Sequence, residues 1–563
     1  MKNRPWTCLS LLALALGISS CSFFQFSVSN YEDAGTFEKR TFALKNYNEE
    51  YQIKSKSIDL YFKDGGALPY VELHSFVSAL EGLYQTSYIS FKTVGERELD
   101  LTWRTLEATY QMRVDDRSNS IWVSSLDFFN LIYSTSGTDY NFALKVTDAK
   151  SNPGNPVIFD LGTYGIDIFR KKDEVLLPFC IANTLFCSSH YTNLYYNGTA
   201  VYNAYFSFAM DEEAMKGAYS ENRTFGQAIP EDVAKMNKAG FLFVLDRYYG
   251  LRDDFPEGFA PEAVASLASR NDETAFSAMT DILYNQLDEM HTSYDSLSFY
   301  ASPDGDYSLP VGPRRKAFLE ESTELEASYK AAYPEDEPLR FQGDTAIIVS
   351  QYPIVTGSSS ELKDPQGNLK EDAYLKDSFY YMKEMLSRIE KHGGIKNILL
   401  DLTRNGGGNL GAAFRMMGLL TNEKIAYGST NRLDGSNYCQ RMKVDVDEDG
   451  DYSDEDSYSS YEWGFLTSGV TFSAANFLAC ASRRAGIAKV FGENSGGGAC
   501  PIYAFVNADG SSFHISGPSS MATVSFSKGS PVYAGVQGGA GVDKELDRSY
   551  FYGHDDVLDA LFD

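Results

Sequence analysis

After residue 21 the sequence has no apolar run long enough to cross a bilayer, which excludes a multi-span membrane protein. Positive charge is scarce: 49 lysines and arginines stand against 77 aspartates and glutamates, a formal net charge of -28. So acidic a chain is repelled by phosphate backbones, which argues against nucleic acid as a partner. Cysteine is sparse and odd in number. Of seven, Cys8 and Cys21 fall at the N-terminus, and the other five, Cys180, Cys187, Cys439, Cys480 and Cys500, cannot all pair. A fully paired disulfide framework is excluded, and a single bridge between Cys180 and Cys187 is left open. Histidine numbers only six in 563 residues, so a histidine in a chemical context carries weight. There is also no internal repeat.

What is present begins with the N-terminus. Lys2 and Arg4 precede an apolar run from Leu9 to Ile18, and small residues follow up to Cys21, the layout of a signal peptide. "ISSC" resembles a bacterial lipobox, which implies cleavage before Cys21 and lipid attachment to its thiol. An ordinary secretory signal that contains a cysteine is the alternative. The expectation is a protein of the bacterial cell envelope, extracytoplasmic and touching the membrane only through its N-terminal lipid, on the periplasmic side or the cell surface. Ser22 stands where an aspartate would favour inner-membrane retention.

At this length several domains are expected. Residues 1–21 read as the signal and 22–54, polar and aperiodic, as a tether. Residues 55–208 carry short alternating runs such as "SIDLYF" and "LDLTW" between turn residues, a β-rich domain. In 209–342 the period turns helical, as in "PEDVAKMNKAGFLFVLDRYYGL" and "DETAFSAMTDILYNQLDEM", giving a helical segment and connector. Residues 343–563 alternate strands and helices. The fold class is therefore α+β and multidomain.

The chemistry concentrates in the last region. "NILLDLTRNGGGNLGAAFRMM" is a buried strand ending in a glycine turn before a helix, and such a turn lets backbone N–H groups converge on a developing negative charge. No Gly-Lys-Ser/Thr follows, so a phosphate loop is disfavoured. In "GFLTSGVTFSAANFLACASRRAG", Ser473 sits at a strand-to-helix junction with the amide of Ala474 at the helix N-terminus. Taken alone, that serine reads as readily as a helix cap.

Taken together and in order, "ILLDLTRNGGGN", "LTSGVTFSAANFLA", "VFGENSGGG", "GAGVDKELD" and "DVLDALFD" resemble the tail-specific, or C-terminal processing, serine peptidases. The resemblance covers roughly the last 220 residues and implies a C-terminal crotonase-like β-β-α peptidase domain. It implies Ser473 as nucleophile, Gly407 and Ala474 as oxyanion donors, and Ser468 and Ser495 as structural. One branch of the family has a lysine base in "G-E-x-T-x-G-K", but Gly498 occupies that position here, and Lys489 and Lys528 lie in other contexts. The tricorn-core branch has a histidine in "D-x-H-T", which "LDEMHTSYDS" supplies as His291. An imidazole there could take the Ser473 proton and return it to the leaving amine. The orienting third member stays open. No carboxylate aligns in "GVQGGAGVDKELD", where Gln537 is nearest and Asp543 and Glu493 are alternatives.

The reading is a lipid-anchored serine endopeptidase acting on peptides or proteins, with no required cofactor. A catalytically silent peptide- or ligand-binding surface lipoprotein on the same fold is the alternative. Separately, "DVDEDGDYSDED" spaces Asp445, Asp447 and Asp449 before Gly450, with Asp456 at the twelfth position, as in a calcium loop. A structural calcium there and a merely solvated acidic loop both fit.

Overall fold

Side-chain alternation along each strand organises the C-terminal region. In the strand Asn397–Asp401, Ile398 and Leu400 face a core shared with three helices, while Leu399 faces the opposite side with Leu325 and Tyr329 of the helix Pro313–Ala332. Strands buried on both faces, with helices as crossovers, produce parallel pairing. The sheet accordingly runs Leu339–Gln342, Thr345–Val349, Asn397–Asp401, Glu462–Thr467, Ala488–Gly492 and Lys544–Glu545 in spatial order, antiparallel only at its first pair. The helices Ser378–His392, Leu410–Leu420 and Ser473–Arg484 pack against one face. Because adjacent strands are parallel, the turns after Asp401 and after Thr467 emerge side by side at the carboxyl edge, where open α/β sheets bind ligands.

The computed structural model describes residues 35–48, 51–95, 98–106, 108–130, 141–206, 212–453, 457–553 and 561–562. It is a mixed α+β molecule whose N-terminal part is β-rich. There a seven-stranded sheet and a five-stranded antiparallel sheet share a core with the helix Glu231–Tyr248. One expectation is corrected. Residues 37–46 lie within the segment read as a tether, yet Phe37–Asn46 is a strand paired with Ser57–Lys63 on one side and Val201–Tyr205 on the other. Its polar appearance comes from an exposed face, while Leu44 enters the core and Phe37 and Phe42 pack against it.

The N-terminal and C-terminal parts interleave. Leu144–Asn152 is the edge strand of a sheet otherwise built from residues 425–535, pairing with Asn437–Val444. Conversely, Phe505, Phe513 and Ile515 are buried in the N-terminal core. Among the described residues no helix is long and apolar enough to cross a membrane. Cys180 and Cys187 are separate buried thiols, and burial pushes Cys180 up to about 12, which makes it inert at neutral pH.

Burial also acts on His190, whose Nε2–H donates to the Phe129 carbonyl deep in the N-terminal core. Desolvation lowers its pKa from 6.5 to about 4, with the carbonyl bond opposing. The folded state therefore binds its proton later than the unfolded chain does as pH falls. Stability is fully present above pH 6.5 and is expected to fall by up to about 3 kcal/mol on acidification to pH 4. Urea unfolding across that range should show the decline in wild type and a smaller one in His190→Gln, and equal slopes would contradict it.

Candidate active site

Two turns meet at the carboxyl edge of the sheet. The first follows Asn397–Asp401 and is fixed by Asn405, which is wholly buried: its Nδ2 donates to the carbonyls of Ser350 and Tyr352, each at 2.8 Å, and its Oδ1 accepts from Gly407 N–H at 2.9 Å. The second follows Glu462–Thr467. Ser468 donates to the Thr403 carbonyl at 2.5 Å and Thr471 to the Leu402 carbonyl at 2.7 Å, so these buried hydroxyls lace one turn to the other. Ser495 is likewise committed, donating to Asn476 Oδ1 at 2.7 Å.

Ser473 differs from all of these. Every residue from Val470 to Ser482 is buried except Ser473, which is partly exposed at the first position of the helix Ser473–Arg484. Its Oγ makes no hydrogen bond among the described residues. Its backbone is left-handed, with φ +54°, a conformation that costs a non-glycine residue free energy and concentrates at functional sites. The strain is held by Ser473 N–H donating to the Gly497 carbonyl at 2.8 Å and by Phe472 N–H donating to the Asn405 carbonyl at 3.1 Å. The result is a hydroxyl lifted out of a packed strand-to-helix corner.

The glycine turn lies directly against it. A β-carbon at Gly407 would stand 2.6 Å from Ser473 Cβ and 2.8 Å from Ala474 N, so only glycine permits this approach. The sequence reading made Gly407 and Ala474 the oxyanion donors, and here the two differ. The Ala474 amide, at the helix N-terminus, has no intrahelical acceptor. The Gly407 amide is already engaged by Asn405 Oδ1. Gly407 O and Asn409 N bond to Ile354 on one edge of the turn, at 2.8 and 2.7 Å, which turns the Gly408 amide to the other edge. That amide meets no acceptor among the described residues, whereas the Gly407 amide is already bonded.

His291 follows a helix that ends unusually: Asp272–Thr280 widens into a π-helical stretch, Asp281–Leu287, and stops at Asp288 with φ +42°. His291 is buried, with its ring 4.8 Å from that of Phe472, the residue before Ser473. Among the described residues no hydrogen bond joins it to Ser473. Burial holds its pKa below the ordinary histidine value, the Glu289 charge opposes this, and His514 adds to it.

The carboxylate linked to this imidazole is one that the sequence reading did not name. His291 Nδ1 lies 3.4 Å from Ser516 Oγ, and Ser516 Oγ donates to Glu289 Oε2 at 3.0 Å. Glu289 is buried and also accepts from His291 N–H at 3.1 Å and Thr292 Oγ1 at 3.0 Å. An ionised carboxylate only accepts, so the single Ser516 proton points to Glu289 and Ser516 receives from His291 Nδ1–H. That leaves Nε2 as the basic nitrogen. The signal was visible, since Glu289 stands two positions before His291, but its link runs through a serine 225 positions away.

Gln537 does not reach the imidazole. Its Oε1 accepts from Ala499 N–H at 2.8 Å, which braces the 497–499 loop that holds Ser473. Asp543 and Glu493 are paired with Arg483 and Arg548. Gly498, where a lysine base would stand, has no room for one: with φ +84°, a β-carbon would lie 2.6 Å from the Phe472 ring. Lys489 pairs with Glu462, and His514 forms its own pair with Asp295 at 2.6 Å. Cys21 and Asp456 lie outside the described residues.

A left-handed serine, backbone donors and a buried imidazole backed by a carboxylate constitute the apparatus of acyl transfer. Residues 373–515 match the model of Peptidase family S41, so this part of the chain is similar to the serine-type peptidases of that family. Similar solved structures include the photosystem II D1 C-terminal processing protease, 17% identical over 36% of this chain and 42% of that chain, with a TM-score of 0.24. A putative peptidase from Parabacteroides merdae is 14% identical over 56% of this chain and 90% of that one, with a TM-score of 0.38. Mature CPAF complexed with lactacystin is 11% identical over 58% and 98%, with a TM-score of 0.37. No curated protein matches the sequence.

Proposed function

We propose that the chain is an active serine endopeptidase. The observation that carries this reading is Ser473: strained and partly exposed, its Oγ unbonded among the described residues, in a corner where the hydroxyls of Ser468, Thr471 and Ser495 are buried and bonded. On substrate binding, Ser473 Oγ attacks the peptide carbonyl carbon and its proton passes to His291 Nε2, their hydrogen bond tightening in the Michaelis complex. The amides of Ala474 and Gly408 receive the oxyanion. The imidazolium returns its proton to the leaving amine, and water then hydrolyses the acyl-enzyme by the same route. Glu289, acting through Ser516, holds the productive tautomer and stabilises the imidazolium. Substrates are proteins or peptides. A cavity of about 510 Å³ lined by Tyr329, Tyr352, Tyr374, Tyr381 and Met385 adjoins the Ile354 segment and suits an apolar side chain. Lipid attachment at Cys21 and an extracytoplasmic, envelope-bound location complete the proposal, on the strength of the N-terminal sequence. Metabolic labelling with a fatty-acid probe, lost in Cys21→Ser, tests that part.

The chemistry is tested by a fluorophosphonate probe with the adduct mapped by mass spectrometry. Labelling of Ser473 that is lost in His291→Ala is expected, and a folded wild type that takes no label would favour the silent binding protein. The pH profile tests the relay. Because burial depresses the His291 pKa, the neutral base persists below pH 6.5, and the acid limb of kcat/KM should lie below that value. Glu289→Gln removes the charge that raises this pKa, so the limb should move lower still while kcat falls by up to about 10⁴-fold. A Glu289 with only a structural role would leave the limb in place.

A further inference from the structure

The strand Asn437–Val444 runs into an acidic loop that plays no part in the proposed reaction. In it Asp445, Asp447 and Asp449 each place one carboxylate oxygen within 4.8 Å of the others, the reach of two metal–oxygen bonds of about 2.4 Å. Among the described residues no lysine or arginine forms an ion pair with any of the three. Of the nearby lysines, Lys363 and Lys383 pair with Glu448, whose other contact is Tyr380 Oη–H at 2.6 Å, and Lys443 donates to the Tyr452 carbonyl of the same loop at 3.3 Å. Three carboxylates thus converge without a paired lysine or arginine among the described residues.

An independent observation points to what balances them. Asp445 is only 7% exposed; its Oδ2 accepts from Gly450 N–H at 3.0 Å, but its enclosed Oδ1 has no donor among the described residues. A buried carboxylate oxygen without a donor is costly, and a bound cation removes that cost.

We propose that Asp445, Asp447 and Asp449 form a divalent-cation site selective for calcium. The oxygen-only donor set excludes soft metals. One rigid buried carboxylate and two exposed ones form a half-shell that waters and loop carbonyls complete, which suits the variable coordination of calcium better than the strict octahedron of magnesium. Glu448 ties the loop to the helix Ser378–His392, and the chain continues to the strand Glu462–Thr467 that delivers Ser473. Calcium would brace this connection without touching substrate.

The test is isothermal titration of the chelator-stripped full chain with calcium chloride and with magnesium chloride, alongside thermal unfolding. One calcium per chain and a rise in Tm are expected, with at least tenfold weaker binding of magnesium. In Asp447→Asn/Asp449→Asn, whose side chains are exposed and whose fold should persist by circular dichroism, calcium affinity should fall at least tenfold and the Tm shift should vanish. Absence of both heat and Tm shift in wild type, calcium binding undiminished in the double variant, or equal affinity for magnesium would overturn the proposal.

Discussion

Replacing Ser473 by alanine is expected to remove turnover by about 10⁶-fold while leaving the fold intact. The two halves of that statement have separate origins. In the proposed mechanism the hydroxyl forms the acyl bond, and loss of a nucleophile that acts as a unit with its base removes nearly all the chemistry. Stability should move by no more than about 0.5 kcal/mol, because Ser473 Oγ has no hydrogen-bond partner among the described residues to lose. A second substitution sharpens the test. At φ +54° a β-carbon is unfavourable, so Ser473→Gly should be as inactive as the alanine variant yet more stable, by about 1 kcal/mol. Gain of stability with loss of function at one position is the mark of strain maintained for chemistry. Measured by hydrolysis of a fluorogenic peptide and by urea unfolding, a Ser473→Ala protein that keeps its activity would transfer the nucleophile elsewhere. A glycine variant less stable than wild type would remove the argument from strain.

The parts of this site that were legible in the sequence are those written into short contiguous patterns. Ser473 and the glycine turn each sit at a strand-to-helix boundary, and such boundaries are set by local periodicity and by small residues. His291 was legible because histidines are few and its neighbours form a motif. Glu289 was present in the same motif and still missed, because its role depends on Ser516, and only the pairing of Ser293–Ser296 with Ser512–Ser516 brings the two segments together. The bonding of the Gly407 amide was hidden for a similar reason: the side chain of Asn405, two residues away, occupies it, a competition that spacing does not reveal. At the level of the fold, the strands of 55–208 and the helices after them were readable from their periods. Phe37–Asn46 was not, because a strand with one exposed face and three lysines or arginines resembles a linker until its partners are known. The pairing of Leu144–Asn152 with Asn437–Val444 spans most of the chain, and no local signal encodes it.

Asp377→Ala should be among the most destabilising single substitutions in the peptidase domain, at about 3–5 kcal/mol. Asp377 and Arg415 are both fully enclosed, with Arg415 Nη1 to Asp377 Oδ2 at 3.2 Å and the guanidinium 3.7 Å above the Phe142 ring. Removing the carboxylate takes the counter-charge from an enclosed guanidinium, and that penalty exceeds what the pair itself contributes. The same carboxylate also caps the helix Ser378–His392, accepting from Phe379 N–H at 2.9 Å and Tyr380 N–H at 3.3 Å, and it receives Gly357 N–H at 3.2 Å. Loss of a cap adds about 1 kcal/mol. Asp377→Asn keeps an acceptor for the helix and loses only the charge, so it should fall between wild type and alanine. If the buried charge dominates, Asp377→Ala/Arg415→Met should recover much of the loss, which a double-mutant cycle in urea would read as strong coupling. A loss of under about 1 kcal/mol in Asp377→Ala would mean that water or another group compensates Arg415. The effect should reach the chemistry as well. Arg415 lies on the helix that begins just after the glycine turn, and Gly357 follows the Ile354 segment bonded to Gly407 and Asn409. Loosening either end frees the turn from its register against Ser473, so the alanine variant should lose kcat at temperatures where it is still folded, whereas a purely global destabilisation would leave kcat of the folded fraction unchanged.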